Sequence, residues 1–341
     1  MRNLLIRADA SPHIGTGHVM RCLALAQAWQ LRGGDAVFVT HCSSNGLRRR
    51  LSDEGFKIVA LKRPYPDPGD WKASSNVLAA HPGAWVVLDG YHLDSAYQRL
   101  VKEAGHPVLV IDDMAHLDYY YGDLLLNQNI HAEQLKYSCG PHTRLLLGTR
   151  YVLLRREFWP WDGWQRKISQ VANRVLVTLG GADRDNQTLK VIQALRQVEV
   201  SDLEATVVVG VDNPHLGELE ATTRYSPFEI RFLHNASNMP ALMAGVDVAV
   251  SSGGTTCWEL AFMGLPFLTM VIAPNQKEIA ESLAKTGIAL NCGWFSSCSP
   301  EDLAENLTAM IKDSGLRKCF SQRGKKLVDG QGSARILDLM E

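Results

Sequence analysis

The sequence predicts an α/β protein with two domains, each built on a doubly wound parallel sheet. Its 341 residues are enough for two domains of about 150 residues each. Short β-branched apolar runs alternate with segments of helical periodicity, an order typical of parallel strands joined by helices. This alternation stops near residue 157 and restarts at residue 174. Because ten or more parallel strands in one sheet are unusual, two separate sheets are the favoured interpretation.

The first half contains the elements of one complete sheet. Its predicted strands are Leu4–Arg7, Ala36–Thr40, Lys57–Leu61, Trp85–Leu88, Val108–Ile111, Leu124–Leu126 and Arg144–Leu147. Its predicted helices are Gly17–Leu31, Asn45–Glu54, Asp70–Ala80 and Asp94–Ala104. Every helix lies between two strands, as a doubly wound sheet requires.

The second half repeats this order. Its predicted strands are Arg174–Leu179, Ala205–Val209, Ile230–Phe232, Val246–Ser251 and Phe267–Val271. Its predicted helices are Asn186–Val198, Met239–Met243, Thr255–Met263, Lys277–Lys285, a helix that begins at Ser299, Leu316–Val328 and Ser333–Met340. Ser299 is a typical N-cap, and the proline that follows it suits the first helical position.

A tryptophan-rich stretch separates the halves. Residues 158–164 read Phe-Trp-Pro-Trp-Asp-Gly-Trp. We therefore predict a first domain over residues 1–156, a linker over 157–173, a second domain over 174–330 and a carboxyl-terminal helix within 331–341. The alternative is that the stretch is a surface loop within one large sheet.

The composition excludes several classes of protein. A net charge of −1, with 46% hydrophobic and 21% charged residues, is ordinary for a globular chain and lacks the basic excess of a nucleic-acid binder. No apolar run reaches the ~18 residues of a membrane span, and the amino terminus lacks the pattern of a secretory leader. Seven cysteines without a C-x-x-C predict reduced thiols. We expect a cytoplasmic protein that neither binds nucleic acid nor inserts stably into a membrane; its oligomeric state stays open and includes a monomer.

The junction of the first strand and the first helix carries the most informative residues. In an open parallel sheet, ligands bind at the carboxyl edge of the strands, where this junction lies. Gly15 and Gly17 allow a tight turn, but Met20 replaces the third glycine of a dinucleotide fingerprint. His18 falls in the first helical turn, where the helix dipole disfavours imidazolium, so a neutral imidazole is available as a general base. The alternative is that His18 caps the helix and contacts bulk solvent.

The second half has a similar junction. Gly253, Gly254, Thr255 and Thr256 follow a predicted strand and begin a helix, an arrangement that offers backbone N–H groups and hydroxyls to a phosphate. Glu259 lies one turn further, where a carboxylate can accept hydrogen bonds from ribose hydroxyls. The alternative is an ordinary helix start with a solvated glutamate.

Three more loops lie at predicted carboxyl edges. They contain Asp89 and Tyr91, the run Gly180-Gly181-Ala182-Asp183, and Asn275 with Gln276. Each alone is typical of turns. Their placement on one side of two sheets predicts a ligand site.

These motifs, in this order, resemble the UDP-sugar hydrolases of pseudaminic acid biosynthesis, the PseG family. The resemblance rests on Gly15-Thr16-Gly17-His18-Val19-Met20-Arg21-Cys22, Asp89-Gly90-Tyr91, Gly180–Asp183, Ser252-Gly253-Gly254-Thr255-Thr256-x-x-Glu259 and Asn275-Gln276. It implies the GT-B fold of the MurG glycosyltransferase, with two Rossmann-like domains facing each other across a cleft, and a final helix that returns to the first domain. The spore-coat polysaccharide protein SpsG is a looser relative.

The resemblance also implies roles for individual residues. His18 matches the catalytic base, and Glu259 matches the acid that holds the ribose. The residues that match the UDP side are Gly253, Gly254, Thr255 and Thr256, with Gly180 and Gly181. The residues that match the sugar side are Gly17, Asp89, Tyr91, Asn275 and Gln276. Asn275 and Gln276 could exchange roles.

The implied reaction is hydrolysis of UDP-2,4-diacetamido-2,4,6-trideoxy-β-L-altrose at its anomeric carbon, with inversion, to give UDP and free sugar. For this reaction we expect neither a metal nor a cofactor. One alternative is a GT-B glycosyltransferase that moves a sugar from a UDP-sugar to an acceptor in surface polysaccharide synthesis. A second is a non-enzymatic module that binds nucleotide sugars.

Overall fold

A computed structural model describes residues 3–181, 183–210, 213–234 and 236–341. The chain divides into two compact units. The first runs from the amino terminus to Arg156 and also includes Gly330–Glu341. The second runs from Glu157 to Asp329.

The first unit contains a parallel sheet of seven described strands. They are β1 (Leu4–Ala8), β2 (Ala36–Thr40), β3 (Lys57–Ala60), β4 (Trp85–Asp89), β5 (Val108–Ile111), β6 (Leu124–Asn127) and β7 (Arg144–Leu147). Their order across the sheet is β3-β2-β1-β4-β5-β6-β7. Strands β1, β2, β4, β5 and β6 are buried throughout, which explains their unbroken apolar sequences.

Helices cover this sheet. They are α1 (Gly17–Leu31), α2 (Asn45–Asp53), α3 (Pro68–Ala80) and α4 (Ser95–Glu103). The last helix of the chain, which we label α12 (Gly332–Leu337), also belongs to this unit. Several hydrogen bonds hold the carboxyl-terminal residues there; for example, Trp85 Nε1 donates to the carbonyl of Met340, and Arg32 Nη2 donates to Asp338.

The second unit contains a parallel sheet of six described strands. They are β8 (Arg174–Thr178), β9 (Glu204–Val209), β10 (Glu229–His234), β11 (Val248–Ser252), β12 (Phe267–Val271) and β13 (Ala289–Trp294). Their order is β10-β9-β8-β11-β12-β13. The helices are α5 (Gln187–Leu195), α6 (Leu216–Thr223), α7 (Met239–Ala244), α8 (Thr256–Phe262), α9 (Lys277–Lys285), α10 (Pro300–Lys312) and α11 (Ser314–Leu327).

The predicted α/β class with two parallel sheets is confirmed. One strand and one α-helix of the described structure were not predicted. Strand β13 reads Ala-Leu-Asn-Cys-Gly-Trp and is only partly buried at the edge of its sheet, so it lacks an apolar run. Helix α6 buries only Leu219, so its amphipathic pattern is weak. Short 3-10 helices at Ala132–Gln134, Thr149–Tyr151, Arg156–Trp161 and Pro274–Gln276 were not predicted either. Within the described ranges, no helix is both long and apolar enough to cross a bilayer.

Candidate functional site

Acidic residues gather where three neighbouring strands of the first unit end. Strand β4 lies between β1 and β5, and its last residue, Asp89, pairs with Ala8 on one side and Ile111 on the other. Asp9 follows β1, and Asp112 and Asp113 follow β5. All four carboxylates are therefore concentrated at the carboxyl edge of the sheet, and all are buried.

His18 is held by one of these carboxylates. It is the second residue of α1, and Nδ1 of its ring lies 2.6 Å from Oδ1 of Asp89. The ring is 7% exposed and meets the ring of Tyr91 edge-on, with centroids 5.0 Å apart. Because an ionised carboxylate only accepts hydrogen bonds, Nδ1 is assigned the proton and Nε2 the lone pair. In the described part of the chain, Nε2 has no hydrogen-bond partner, so it is the atom available to a substrate or a water.

Asp89 is fully buried, and protein groups occupy both of its oxygens. Oδ1 accepts from His18 and from Nη2 of Arg21 at 2.7 Å, and Oδ2 accepts from Nε of Arg21 at 2.6 Å and from the Cys22 thiol at 3.4 Å. Burial alone would raise the pKa of Asp89, but Arg21 and His18 hold this pKa well below its usual range. The sequence prediction placed Asp89 against the sugar. In the structure its side chain is fully buried, and its hydrogen-bond partners are His18, Arg21 and Cys22.

Arg21 links Asp89 to Asp113, a residue that the sequence reasoning did not single out. Nη1 of Arg21 lies 2.8 and 2.9 Å from the two oxygens of Asp113, so one guanidinium binds two carboxylates. Asp113 also accepts from Nδ2 of Asn129 at 2.7 Å and from the hydroxyl of Tyr91 at 2.8 Å. The sequence did contain a signal for Asp113. It follows β5, and because β5 pairs with β4, Asp113 lies at the same sheet edge as Asp89.

Tyr91 lies between two histidines. Its ring also contacts the ring of His116 edge-on, with centroids 5.7 Å apart. Nδ1 of His116 lies 2.9 Å from Asp112, and its Nε2 lies 3.0 Å from the carbonyl of Tyr91. The hydrogen bond to Asp112 raises the pKa of His116, although partial burial acts against this.

Gly17, the other predicted sugar-side residue of this unit, is half-buried at the start of α1.

A second carboxylate–histidine pair lies at the same edge. Asp9 accepts from Nε2 of His92 at 2.8 Å, from Nη1 of Arg7 at 2.5 Å and from the backbone N–H of His41 at 2.6 Å. Burial would raise the pKa of Asp9, but these donors lower it to about 2. Arg7 also binds Asp70, which completes a buried network. The sequence reasoning did not identify this network.

In the second unit, the glycine pair packs against the Asn275-Gln276 segment. A methyl group on Gly253 would lie 3.0 Å from the carbonyl oxygen of Gln276, and one on Gly254 would lie 3.8 Å from its Nε2. Oε1 of Gln276 accepts from the backbone N–H of Ile272 at 3.1 Å, which fixes the amide. The structure therefore brings together two segments predicted to bind the substrate. Asn275 is half-buried beside Gln276.

Helix α8 begins directly after the glycine pair. It starts at Thr256, one residue later than predicted, and Thr255 is its N-cap. Both threonines are half-buried, as is Glu259 in the first turn.

The loop after β8 lies beside these residues, since β8 pairs with β11. Gly180 has a φ of 93°, and a methyl group on Gly210 would lie only 1.9 Å from the carbonyl oxygen of Gly181. Asp183 accepts from the backbone N–H groups of Gln187 and Thr188 at 2.8 and 2.9 Å, so it caps α5. Ala182, part of the predicted motif, lies outside the described residues.

The four buried carboxylates at the sheet edge, Asp9, Asp89, Asp112 and Asp113, are paired with arginine or histidine side chains. Among the residues that the structure describes, no three His, Cys, Asp or Glu side chains are grouped as a metal site requires.

Comparison with known proteins identifies the fold and several homologues. Residues 174–326 match the model of the glycosyltransferase family 28 C-terminal domain. The solved structure of MurG from Acinetobacter baumannii aligns with a TM-score of 0.69 and 17% identity, over 99% of both chains. The predicted pair of Rossmann-like domains with a MurG-like GT-B fold is thus confirmed.

The homologues include proteins of the resembled family. The UDP-2,4-diacetamido-2,4,6-trideoxy-beta-L-altropyranose hydrolase of Campylobacter jejuni is 24% identical, over 83% of this chain and 97% of its own. The spore coat polysaccharide biosynthesis protein SpsG of Bacillus subtilis is 22% identical, over 98% of this chain and 97% of its own. The match to protein MJ1062 of Methanocaldococcus jannaschii, at 26% identity and 88% of this chain, spans only 63% of that protein's length.

Proposed function

We propose that this protein is an enzyme that hydrolyses a UDP-linked 2,4-diacetamido-2,4,6-trideoxy sugar at its anomeric carbon and releases UDP and free sugar. The observation that carries the proposal is the buried 2.6 Å contact between Asp89 and Nδ1 of His18. It leaves Nε2 as a proton acceptor at the sheet edge where ligands of this fold class bind. The homologous hydrolase of C. jejuni supports the choice of substrate.

His18 is the general base of the proposed reaction. Nε2 takes a proton from water as the oxygen attacks the anomeric carbon, and the ring becomes positively charged. The ionised carboxylate of Asp89 stabilises this charge and keeps Nδ1 protonated throughout. Arg21 positions Asp89 by donating to both of its oxygens, and Asp113 in turn holds Arg21.

UDP leaves without a proton donor, because a diphosphate needs only neutralisation of its charge. The backbone N–H groups and hydroxyls of Gly253, Gly254, Thr255 and Thr256 supply this neutralisation in our proposal. Gly180 and Gly181 complete the UDP side, and Glu259 accepts hydrogen bonds from the ribose. Attack of water opposite the leaving group inverts the anomeric centre. No step requires a cofactor or a metal.

The sugar side consists of Gly17, Tyr91, Asn275 and Gln276. Asp89, predicted at first to contact the sugar, instead positions His18. The hydroxyl of Tyr91 donates to Asp113, so its oxygen retains lone pairs for a substrate donor.

A glycosyltransferase is the second candidate, and the match of residues 174–326 to a glycosyltransferase domain favours it. In that case, His18 would deprotonate an acceptor hydroxyl instead of water. A module that only binds nucleotide sugars would retain the glycine loop but has no need of a buried carboxylate–histidine pair.

A turnover screen by mass spectrometry separates these functions. The protein is incubated with a panel of UDP-diacetamido-trideoxy sugars in buffer without acceptor, alongside the His18→Asn variant. A hydrolase releases UDP and free sugar, and the variant does so far more slowly while still binding UDP. Absence of turnover with every sugar, despite binding, would refute the hydrolase.

A further inference from the structure

A basic cavity lies in the second unit, away from the residues assigned above. Its volume is about 660 Å³. Four cationic side chains line it, Arg166, Lys318, Lys325 and Lys326, together with hydroxyl and amide groups such as those of Ser321 and Gln322. No carboxylate occurs among the described residues that line it.

The cavity lies at the carboxyl end of α8. Nε of Arg166 donates to the carbonyl of Met263, the C-cap of α8, at 3.4 Å. Helix α11, which carries the three lysines, packs closely on α8: a methyl group on Gly324 would lie 3.1 Å from Cα of Ala261. The glycine pair precedes the other end of α8. A ligand in the cavity therefore does not compete with one at the glycine pair.

Backbone carbonyls, and no carboxylate of a described residue, accept the hydrogen bonds of Arg166 and Lys325. The guanidinium of Arg166 donates to the carbonyls of Val246 and Met243, each at 2.5 Å, and Lys325 donates to the carbonyl of Trp164. In the described parts of the chain, none of the four forms an ion pair. Asp247 is already bound by Arg174 at 2.9 Å, and Asp162 is exposed to solvent.

Burial makes two of these cations more acidic. It lowers the pKa of Arg166 to about 10 and also lowers the pKa of Lys325. Desolvated charges without counter-ions are unfavourable, and a bound anion would relieve this cost.

We propose that this cavity binds a small phosphate compound with several negative charges, at a site separate from the proposed UDP site. Ligand pockets commonly measure about 300–1,000 Å³, so the volume suits a bisphosphate or pyrophosphate group with its substituent. Four cations with adjacent amide and hydroxyl donors match the charge and hydrogen-bonding needs of such a group. Ile168 is the one apolar side chain among the described lining residues, so the cavity lacks the apolar anchors of a membrane-surface site, which favours a free phosphate compound over a lipid headgroup.

Calorimetry with inorganic pyrophosphate tests the proposal. The full chain is saturated with UDP so that the glycine loop is occupied, and pyrophosphate is then titrated. The test variant is Lys318→Ala with Lys326→Ala, two exposed lysines of α11. The matched control is Lys285→Ala with Lys312→Ala, two exposed lysines in the last turns of α9 and α10.

We expect the test variant to bind pyrophosphate about tenfold or more weakly than both the wild type and the control, because each lysine supplies a charge-assisted contact. Equal affinity of the test and control variants would overturn the proposal, as would a lack of binding to the wild type. Binding to phosphatidylglycerol vesicles but not to pyrophosphate would assign the cavity to a membrane and also overturn it. The comparison between variants measures pyrophosphate binding and does not depend on hydrolysis. A failure of the proposed enzymatic function would therefore not affect the test of this cavity.

Fluorescence gives a second readout. The guanidinium carbon of Arg166 lies 5.0 Å from the ring centre of Trp164, so an anion bound there should change the emission of this tryptophan. The change should disappear in Trp164→Phe. Its persistence in that variant would show that pyrophosphate binds elsewhere.

Discussion

Nδ1 of His18 lies 2.6 Å from the fully buried carboxylate of Asp89, and Arg21 binds the same carboxylate through two nitrogens. Asp89 therefore stays ionised and orients the imidazole, which leaves the lone pair on Nε2. This arrangement suits the general base proposed above.

Replacing His18 with asparagine should nearly abolish turnover. Asparagine retains a polar side chain but cannot accept the proton, so kcat should fall by about 10²–10⁴. UDP affinity should stay close to that of the wild type. Steady-state kinetics with calorimetry of UDP would check this, and a near-normal kcat would assign the base elsewhere.

Asp89→Asn should also lower kcat, by about 10²–10⁴. An amide can donate to Nδ1 and thereby favour the tautomer that carries its proton on Nε2, which cannot act as a base. Asp94→Asn is the matched control, since Asp94 only caps α4 and hydrogen-bonds Tyr65. Equal losses in both variants would indicate general damage to the fold instead of a role in positioning His18.

Asp9 should make stability depend on pH in acid. Its pKa is lowered from 3.8 to about 2 in the folded protein, so its contribution is fully present above about pH 4 and is lost as the pH falls towards 2. The advantage of the wild type over Asp9→Asn should shrink by about 1 kcal/mol between pH 6 and pH 3. Urea unfolding at both pH values measures this difference in the free energy of unfolding, with Asp53→Asn as a control at an exposed residue. A constant difference would contradict the ionised network around Arg7.

Glu259→Ala should raise KM and leave kcat nearly unchanged, because the ribose contact proposed for Glu259 would exist equally in the ground and transition states. One charge-assisted hydrogen bond is worth about 1.5–3 kcal/mol, so the loss of one should weaken UDP binding about ten- to a hundredfold. The variant should also lose discrimination against 2′-deoxy-UDP. Calorimetry of both nucleotides decides this, and equal affinity of the wild type for both would remove the ribose role.

Gly210→Ala should displace the Gly180-Gly181 loop, because the added methyl group would lie 1.9 Å from the carbonyl oxygen of Gly181. We expect a lower free energy of unfolding, by about 1–3 kcal/mol, and weaker UDP binding. Gly217→Ala is the control: no atom lies within 4 Å of the added methyl group, and its place in α6 should make alanine favourable. Urea unfolding and UDP calorimetry of both variants measure the difference. Normal UDP affinity of Gly210→Ala would separate this loop from the nucleotide site.

Local pattern predicted most of the fold but less of the site. Val108–Ile111 and Gly17–Leu31 have the predicted bounds, because unbroken apolar runs and helical periodicity are local properties. The partly buried edge strand Ala289–Trp294 carries no such signal. The contact between Arg21 and Asp113 joins residues 92 positions apart, so only the tertiary structure reveals it. The contacts of Asp89 were not predicted for the same reason: its place at a strand end predicts proximity to a ligand but not that His18 and Arg21 occupy both oxygens.

Hydrolysis in water enriched with ¹⁸O, without any acceptor, tests the central claim most directly. If His18 directs water to the anomeric carbon, UDP and free sugar form, mass spectrometry finds no ¹⁸O in the UDP, and rapid NMR detects the sugar first as the inverted anomer. Incorporation of ¹⁸O into UDP would place the attack at phosphorus, and a requirement for an acceptor would identify a transferase; either result would contradict the account.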